Sequence, residues 1–390
     1  MTTPAPDTTK PRPGGPLAGL RIVELSGIGP APFCGMLLAD MGAEILRIAP
    51  PQAREASMPI PDHLDPIWRG RSTLRLDLKH PEDVGRLVSI LPHADALIEG
   101  FRPGAIERMG LGPDVCLAAN PRLIIGRVTG WGQTGPWAKA AGHDPNYLAL
   151  SGALHAIGPG DRPPPFPLNL VGDFAGGGML LALGLLAAIM SARNTGRGQV
   201  VDAAMLDGVA TLMAPTYALR NAGLWNDRRG EALLNGGCPF ATSYETADGG
   251  YLAVIPLEPQ FWRNFVAALG SDGEDLPDRN PENWPALRAR LTEIFRSRTR
   301  DEWATLFEGR DACVTPILSM AEAPDHPHNR GRGLFVGDDK PYPAAAPRFS
   351  HTPIEHAPMD LGAPRDVLAR WGADPDLAVS GATAPARRQA

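Results

Sequence analysis

The sequence predicts an α/β protein built on a parallel sheet, and three observations lead there. Leu20–Leu25 alternates and is rich in β-branched residues. A glycine-containing turn and a stretch of helical apolar spacing separate it from a second strand at Glu44–Ile48. Short apolar runs of strand type recur at Ser72–Asp77, Ala96–Glu99 and Leu123–Val128. Strand, turn, helix and strand at this spacing form a βαβ unit, whose strands run parallel and whose crossover is right-handed.

The elements follow in chain order. Residues 1–16 are rich in Pro and Thr, lack the apolar stretch of a signal peptide, and read as a disordered tail. After the first strand, Ser26-Gly-Ile-Gly-Pro-Ala-Pro32 reads as a turn, and Phe33–Met41 as a helix that stops at Gly42. Pro81–Ile90 is the next helix. Phe174–Met190 is the longest apolar run; it falls just short of the roughly 18 residues of a membrane span and holds four glycines, so a buried helix is expected. Gly196–Met205 reads as a turn and strand running into a helix through about Arg220. Gly236–Val254 reads as a small β region with its clearest strand at Tyr251–Val254, and Gln260–Phe307 as mostly helical. Pro324–Pro353, rich in Pro, His and Gly, reads as an extended arm, and the chain from Asp376 as a second disordered tail.

Composition narrows the function. A chain of 390 residues, 43% hydrophobic and 21% charged, can bury a large core and divide into two domains. Its net charge of −6 gives no general electrostatic reason to bind nucleic acid or an anionic membrane. Cys34, Cys116, Cys238 and Cys313 are widely spaced, with no Cys-x-x-Cys and no nearby histidine pair, so no metal site is expected. They read as reduced thiols of a cytoplasmic protein. Gly27 and Gly29 invite a dinucleotide-binding reading, but prolines follow and the third glycine is displaced to Gly35, so the fingerprint fails. A tight turn that packs helix on strand is preferred.

Two stretches stand out for chemistry: Ala141-Gly-His-Asp-Pro-Asn-Tyr147 and Asn169-Leu-Val-Gly-Asp-Phe-Ala-Gly-Gly-Gly178. Each sets one proton-transfer residue beside glycine. His143 and Asp173 are 30 residues apart, so any shared chemistry has to be assembled by the fold. An imidazole, with an unperturbed pKa of roughly 6.5, takes or gives a proton near neutrality. Taken alone, a histidine is more often structural, and Asp173 reads first as the N-cap of the helix that follows, a role that does not exclude chemistry. His155 reads as a packed or surface residue, and His326 and His328 as solvated members of the arm.

From Leu17 to Ser350 the chain resembles the family III coenzyme A transferases and, within them, the α-methylacyl-CoA racemases. The resemblance rests on Ile28-Gly-Pro-Ala-Pro-Phe-Cys-Gly-Met-Leu-Leu-Ala-Asp-Met-Gly-Ala43, Leu97-Ile-Glu-Gly-Phe-Arg-Pro-Gly104, Thr129-Gly-Trp-Gly-Gln-Thr-Gly-Pro136 and Gly142-His-Asp-Pro-Asn-Tyr147. It continues through Asn169-Leu-Val-Gly-Asp-Phe174, Gly198-Gln-Val-Val-Asp-Ala-Ala-Met205 and Glu258-Pro-Gln-Phe261, all in the same order. It implies a Rossmann-like parallel-sheet large domain plus a smaller α+β domain, in an interlocked homodimer. The chain would divide into a large domain at 17–205, a linker helix at 206–239, a small domain at 240–317, a linker arm at 318–346 and a return to the large domain at 347–375.

The resemblance also assigns roles. The substrate would be an acyl-CoA thioester, with no cofactor beyond the coenzyme A it carries. In a racemase, one group removes the acidic α-proton to leave a planar enolate, and another returns a proton to the opposite face. His143 and Asp173 would be these groups, and burial would have to raise the pKa of Asp173 above the usual value of about 3.9. Glu258 would bond the second nitrogen of the imidazole, as an orienting carboxylate does in a triad, although before Pro259 it also reads as the start of a helix. Amides at the start of the helix after Asp173 would stabilise the enolate. Coenzyme A would meet Leu76, Asp77, Leu78 and Lys79, the loop with Arg102, and the run Gly142, Asp144, Pro145, Asn146 and Tyr147.

There are departures. Pro50-Pro51 stands where racemases have Arg-Pro, leaving that charge to Arg47, Arg54, Arg69 or Arg71. The acyl pocket carries Ile255-Pro256-Leu257 and, at Cys238-Pro-Phe-Ala-Thr242, small residues where bulkier or more polar ones are usual. The alternative reading is a transferase moving CoA between carboxylic acids through an aspartyl-CoA thioester at Asp173. A transferase has no need of His143 or Glu258, whose joint presence favours the racemase. A third reading is an acyl-CoA binding protein that has lost turnover.

Overall fold

The computed structural model describes residues 14–52, 60–61, 64–354 and 356–378. Of the expected tails at 1–16 and from Asp376, the parts up to Pro13 and from Val379 lie outside the described residues, as does Arg54, whereas Pro375–Ala378 is ordered as a short 3-10 helix. The chain forms two units: one holds the described residues up to Ser151, Pro167–Leu212 and those from Tyr342, and the other holds Gly152–Phe166 and Met213–Pro341.

The first unit is organised by a six-stranded sheet. Its strands are β1 (Arg21–Leu25), β2 (Glu44–Ala49), β3 (Arg71–Arg75), β4 (Ala96–Glu99), β5 (Ile124–Thr129) and β6 (Gln199–Ala204). They run in the order β3-β2-β1-β4-β5-β6, every pair parallel. The order reverses between β1 and β4, which opens a crevice at the carboxyl ends of the strands. Its helices are α1 (Pro30–Asp40), α2 (Pro81–Ile90), α3 (Ala105–Arg108), α4 (Pro113–Ala119), α5 (Asp144–Leu150), a π-helix (Leu170–Met179), α7 (Leu180–Thr195), α8 (Met205–Leu212) and α15 (Pro364–Trp371). Alternate strand residues go to opposite faces. Ile22, Ile45 and Ala96 pack with α1 and α7, whereas Val23, Leu46 and Leu97 pack with α2 and α15.

Two expectations change here. Pro30 and Pro32 belong to the first turn of α1 and not to a preceding turn, because proline fits the start of a helix where amides are unpaired anyway. The apolar helix is also not buried all round. Leu181, Leu185, Ala188 and Ala192 of α7 are buried, but Leu183 and Met190 on the other face are 65% and 67% exposed. By length and composition alone, Leu170–Thr195 would suffice to cross a membrane.

Buried ion pairs brace the sheet. Arg71 on β3 donates to Glu24 on β1 at 2.8 Å and to the Pro32 carbonyl at 2.6 Å, tying α1 to the strands. Gly35 is needed above this pair, since a Cβ there would stand 2.2 Å from the Glu24 carboxylate. The third glycine of the failed fingerprint thus serves packing. Arg69 forms a two-pronged pair with Asp40 at 2.8 and 2.6 Å.

The second unit contains α6 (Ala153–Ala156), α9 (Ala214–Asn221), α10 (Pro259–Leu269), α11 (Ser271–Glu274), α12 (Trp284–Phe295), α13 (Arg300–Phe307) and α14 (Pro327–Arg332). With them is an antiparallel sheet, β7 (Thr242–Glu245), β8 (Tyr251–Val254) and β9 (Val314–Pro316), in that order. The stretch read as a linker helix is divided, with α8 in the first unit and α9 in the second, and part of the arm is helical as α14. The core is aromatic: Phe265 stacks on Phe307 at 5.7 Å, and Phe295 meets Trp303 edge-on at 5.3 Å.

Candidate active site

The candidate residues of the first unit sit on segments that leave the carboxyl ends of the parallel strands or follow from them. After β5 the chain passes through Gly130 and returns to α5. A Cβ on Gly130 would lie 2.3 Å from the Tyr147 ring, so the loop can lie flat on that ring only with glycine there. Tyr147 donates its hydroxyl to the Gly142 carbonyl at 2.5 Å and packs edge-on against Trp131 at 4.8 Å. This anchors the residue just before His143.

His143 is then the N-cap of α5. Its N–H donates to Asn146 Oδ1 at 3.0 Å, and the Asn146 N–H donates back to the His143 carbonyl at 2.8 Å. The backbone is held from both directions while the imidazole remains exposed.

Asp144, the next residue, turns inward. It is 2% exposed, and its Oδ2 accepts the backbone N–H of Gly172 at 2.6 Å and of Asp173 at 2.7 Å. One carboxylate thereby clamps the start of the π-helix to the start of α5. That helix starts at Leu170, so Asp173 is not its N-cap; it lies within the first turn. The amides of Gly172 and Asp173 are occupied by Asp144, which corrects the expectation that they face an enolate.

The Asp173 carboxyl accepts from Asn169 Nδ2 at 3.2 Å. A Cβ on Gly29 would come within 3.3 Å of it, so the chain leading into α1 borders the group. Burial raises the pKa of Asp173 above its ordinary value and the Asp144 charge adds to this, against the opposing Asn169 bond and His143 charge. His143 and Asp173 are therefore brought into one electrostatic environment, and the half-buried carboxyl is shifted toward its protonated form.

A π-helix is wound wider than an α-helix and occurs often at functional sites. This one is pressed against α8, where a Cβ on Gly208 would stand 2.0 Å from the Gly176 carbonyl oxygen. Phe174 packs on Phe33 of α1, with ring centroids 4.6 Å apart.

The positions expected to meet coenzyme A separate into buried and accessible groups. Leu76 is 1% exposed and belongs to the core, so its side chain cannot contact a ligand. Leu78 packs on the edge of the same core. Asp77 shapes the turn, accepting the Lys79 N–H at 3.1 Å, and Lys79 is exposed. The side chains of Asp144 and Tyr147 point inward, at 2% and 4% exposure, and leave Pro145 and Asn146 as the accessible part of that run. Tyr147 is pushed up to about 12 by burial and by the charges of Asp173 and Asp144, with Arg102 opposing, so it stays a neutral donor.

Arg102 is exposed on a loop braced at both ends. Glu99 accepts the Phe101 N–H at 2.7 Å and Arg127 Nε at 2.6 Å, and the same guanidinium reaches Glu107 of α3 at 2.8 Å. Of the substitute charges, Arg69 and Arg71 are consumed by Asp40 and Glu24. Arg47 lies 3.7 Å over the Trp68 ring and donates to Ser26.

Glu258 belongs to the second unit. It is exposed at the N-cap of α10, with Pro259 following, so its reading as a helix start holds. Sequence reasoning gave no role to Asn169, Glu99 or the inward face of Asp144, although all three lie inside the motifs that were singled out. Their spacing to Asp173, Phe101 and Gly172 was the available signal.

The fold and this site define an acyl-CoA enzyme of one family. The model of CoA-transferase family III matches residues 17–365, and the chain belongs to that family. It is 43% identical over 340 residues to the α-methylacyl-CoA racemase of Mus musculus, covering 86% of this chain and 87% of the relative. It is 36% identical over 365 residues to the succinyl-CoA–D-citramalate CoA-transferase of Chloroflexus aurantiacus, covering 88% and 90%. Among solved structures, a CaiB/BaiF family protein from Brucella suis superposes with a TM-score of 0.78 at 25% identity, over 93% of this chain and all (100%) of that one.

Proposed function

We propose that this protein is an α-methylacyl-CoA racemase, interconverting the (R)- and (S)-forms of 2-methylacyl-CoA thioesters by 1,1-proton transfer. The observation that carries the reading is the joining of His143 and Asp173 through Asp144, with the Asp173 carboxyl raised by burial. The similarity to racemases supports it across most of the chain.

In one direction, the neutral imidazole of His143 takes the α-proton and the C–H electron pair moves into the enolate. Protonated Asp173 then delivers its proton to the opposite face. The reverse direction exchanges these roles. Pro145 has no N–H and the Asn146 N–H is taken by the His143 carbonyl, which leaves the Asp144 N–H at the start of α5, beside His143, to receive the enolate oxygen. Glu258 orients the imidazole and favours its charged form. Lys79 and Arg102 take the phosphates of coenzyme A, for which exposed cations suit.

The proposal includes a homodimer of interlocked chains, in which a second copy covers the exposed apolar face of α7. It also includes a cytoplasmic location and no cofactor beyond the coenzyme A of the substrate.

Incubating a chiral 2-methylacyl-CoA in deuterated water tests the chemistry. Deuterium is expected at the α-carbon with inversion, abolished in His143→Ala; undiminished uptake in that variant would overturn the role of His143. The family's transferases give the second reading, in which Asp173 attacks the thioester carbonyl. Fast exchange of CoA onto an added free acid, with trapping of Asp173 by hydroxylamine, would decide for it.

A further inference from the structure

We infer that Arg279 is a positioning residue for Glu258; this rests on the orienting role just proposed for that carboxylate. Glu258 sits at a bend between the end of β8 and the start of α10. A carboxylate at such a bend aims only as well as the backbone on both sides is held.

Arg279 holds both sides. Its Nη1 donates to the Leu257 carbonyl at 2.8 Å and to the Pro256 carbonyl at 3.3 Å, the two residues directly before Glu258. Its guanidinium lies 5.2 Å from the Trp262 ring centroid and 4.9 Å from that of Phe240. Trp262 is in the first turn of α10, and its N–H donates to the Glu258 carbonyl at 3.0 Å. One side chain thus spans from the strand side of the bend to the helix side.

The arginine is itself fixed. Its own carbonyl accepts Trp284 Nε1 at 3.1 Å, and the neighbouring Asp278 accepts the Asn280 N–H at 3.0 Å and Asn283 Nδ2 at 2.7 Å. Among the described residues it makes no ion pair, so its charge is met only by carbonyl dipoles and ring faces. One nitrogen meets both carbonyls, so what arginine adds over lysine is the planar guanidinium that also faces the two rings.

The test is a double-mutant cycle on the full-length protein, read as α-deuterium exchange and racemisation. Glu258→Gln is expected to lower kcat. Arg279→Met is expected to lower kcat on the order of 10-fold, since small misplacements at a site are costly, with KM for the thioester unchanged. In the Glu258→Gln background, Arg279→Met should then add less than a twofold loss. Arg279→Lys, which keeps charge and folding, should recover only part of the loss. Independent, multiplicative losses in the double variant would overturn the inference, as would full activity in both Arg279 variants. A Glu258→Gln protein with normal kcat would also overturn it, but by removing the role of Glu258, which that single variant shows separately.

Discussion

The surroundings of Asp173 and of Glu258 are built by opposite means. Asp173 is half-buried on a braced backbone: its own amide and its neighbour's are bonded to a buried carboxylate, the helix that carries it is pressed on glycine backbone, and burial raises its pKa. Glu258 is left exposed, and the protein invests in the main chain on either side of it, through an arginine, two carbonyls and an aromatic pair. The role proposed for Asp173, holding and releasing a proton, calls for desolvation. The role proposed for Glu258, directing an imidazole, calls for a well-defined backbone.

This contrast can be broken by mutation. The largest effect is expected at Asp173→Asn, which removes the transferable proton and should cut racemisation by about 10²–10⁴-fold. Thermal stability should not fall with it. The native pKa of Asp173 lies above its unfolded value, so the stabilisation it offers is complete only below the unfolded pKa of about 3.9 and is lost as pH rises through the native value. The variant should therefore match or exceed the wild type in Tm at pH 7, with the difference closing toward pH 4, as scanning calorimetry at several pH values would read. A variant that melts earlier at pH 7 would contradict the burial account.

Asp144→Ala should do the reverse. It leaves the Gly172 and Asp173 amides unpaired at about 1–3 kcal/mol each, so Tm should drop. Turnover should fall by on the order of 10²-fold as Asp173 loses its aim. Denaturant melts beside steady-state kinetics would show both losses together, with KM for the thioester nearly constant. The smallest effect sharpens the other half of the comparison. Glu258→Gln on an exposed surface should leave stability within about 0.5 kcal/mol while slowing turnover by about 10–100-fold, the range that follows loss of the partner orienting a metal-bound imidazole. A large loss of stability there would mean that the carboxylate is structural.

Much of the sheet could be read from the chain because strand patterning is local. Arg21–Leu25 and Glu44–Ala49 are short, largely apolar runs buried on both faces, and the glycine turn and helix between them fix a parallel pairing. His143 and Asp173 stand out as candidates for the same reason, since each lies in a short motif. The partners over long separations were not. Nothing near Arg71 announces Glu24, 47 residues away, and so two buried arginines looked like phosphate ligands. Asp144 looked like a ligand contact because a polar residue after a candidate histidine gives no sign of which way it faces. The start of the π-helix was missed because its winding leaves no compositional mark beyond glycines, which also suit a turn. The exposed stripe of α7 escaped notice because an apolar helix reads alike whether its second face meets its own core or another surface.

The π-helix has one more consequence, which concerns rotational phase. Along an α-helix each residue advances the side-chain direction by about 100°, so Leu181, Leu185, Ala188 and Ala192 keep α7 locked to the sheet at one angle. Asp173 is on the same continuous rod, and its bearing is set by counting back from that apolar stripe through the wider turns of Leu170–Met179. The ten residues act as a gear between two angular settings, one dictated by packing on the sheet and one by the bonds of Asp144 to the Gly172 and Asp173 amides. Deleting a single residue between Phe174 and Met179 would leave every buried leucine in place and swing the carboxyl about a quarter turn from His143.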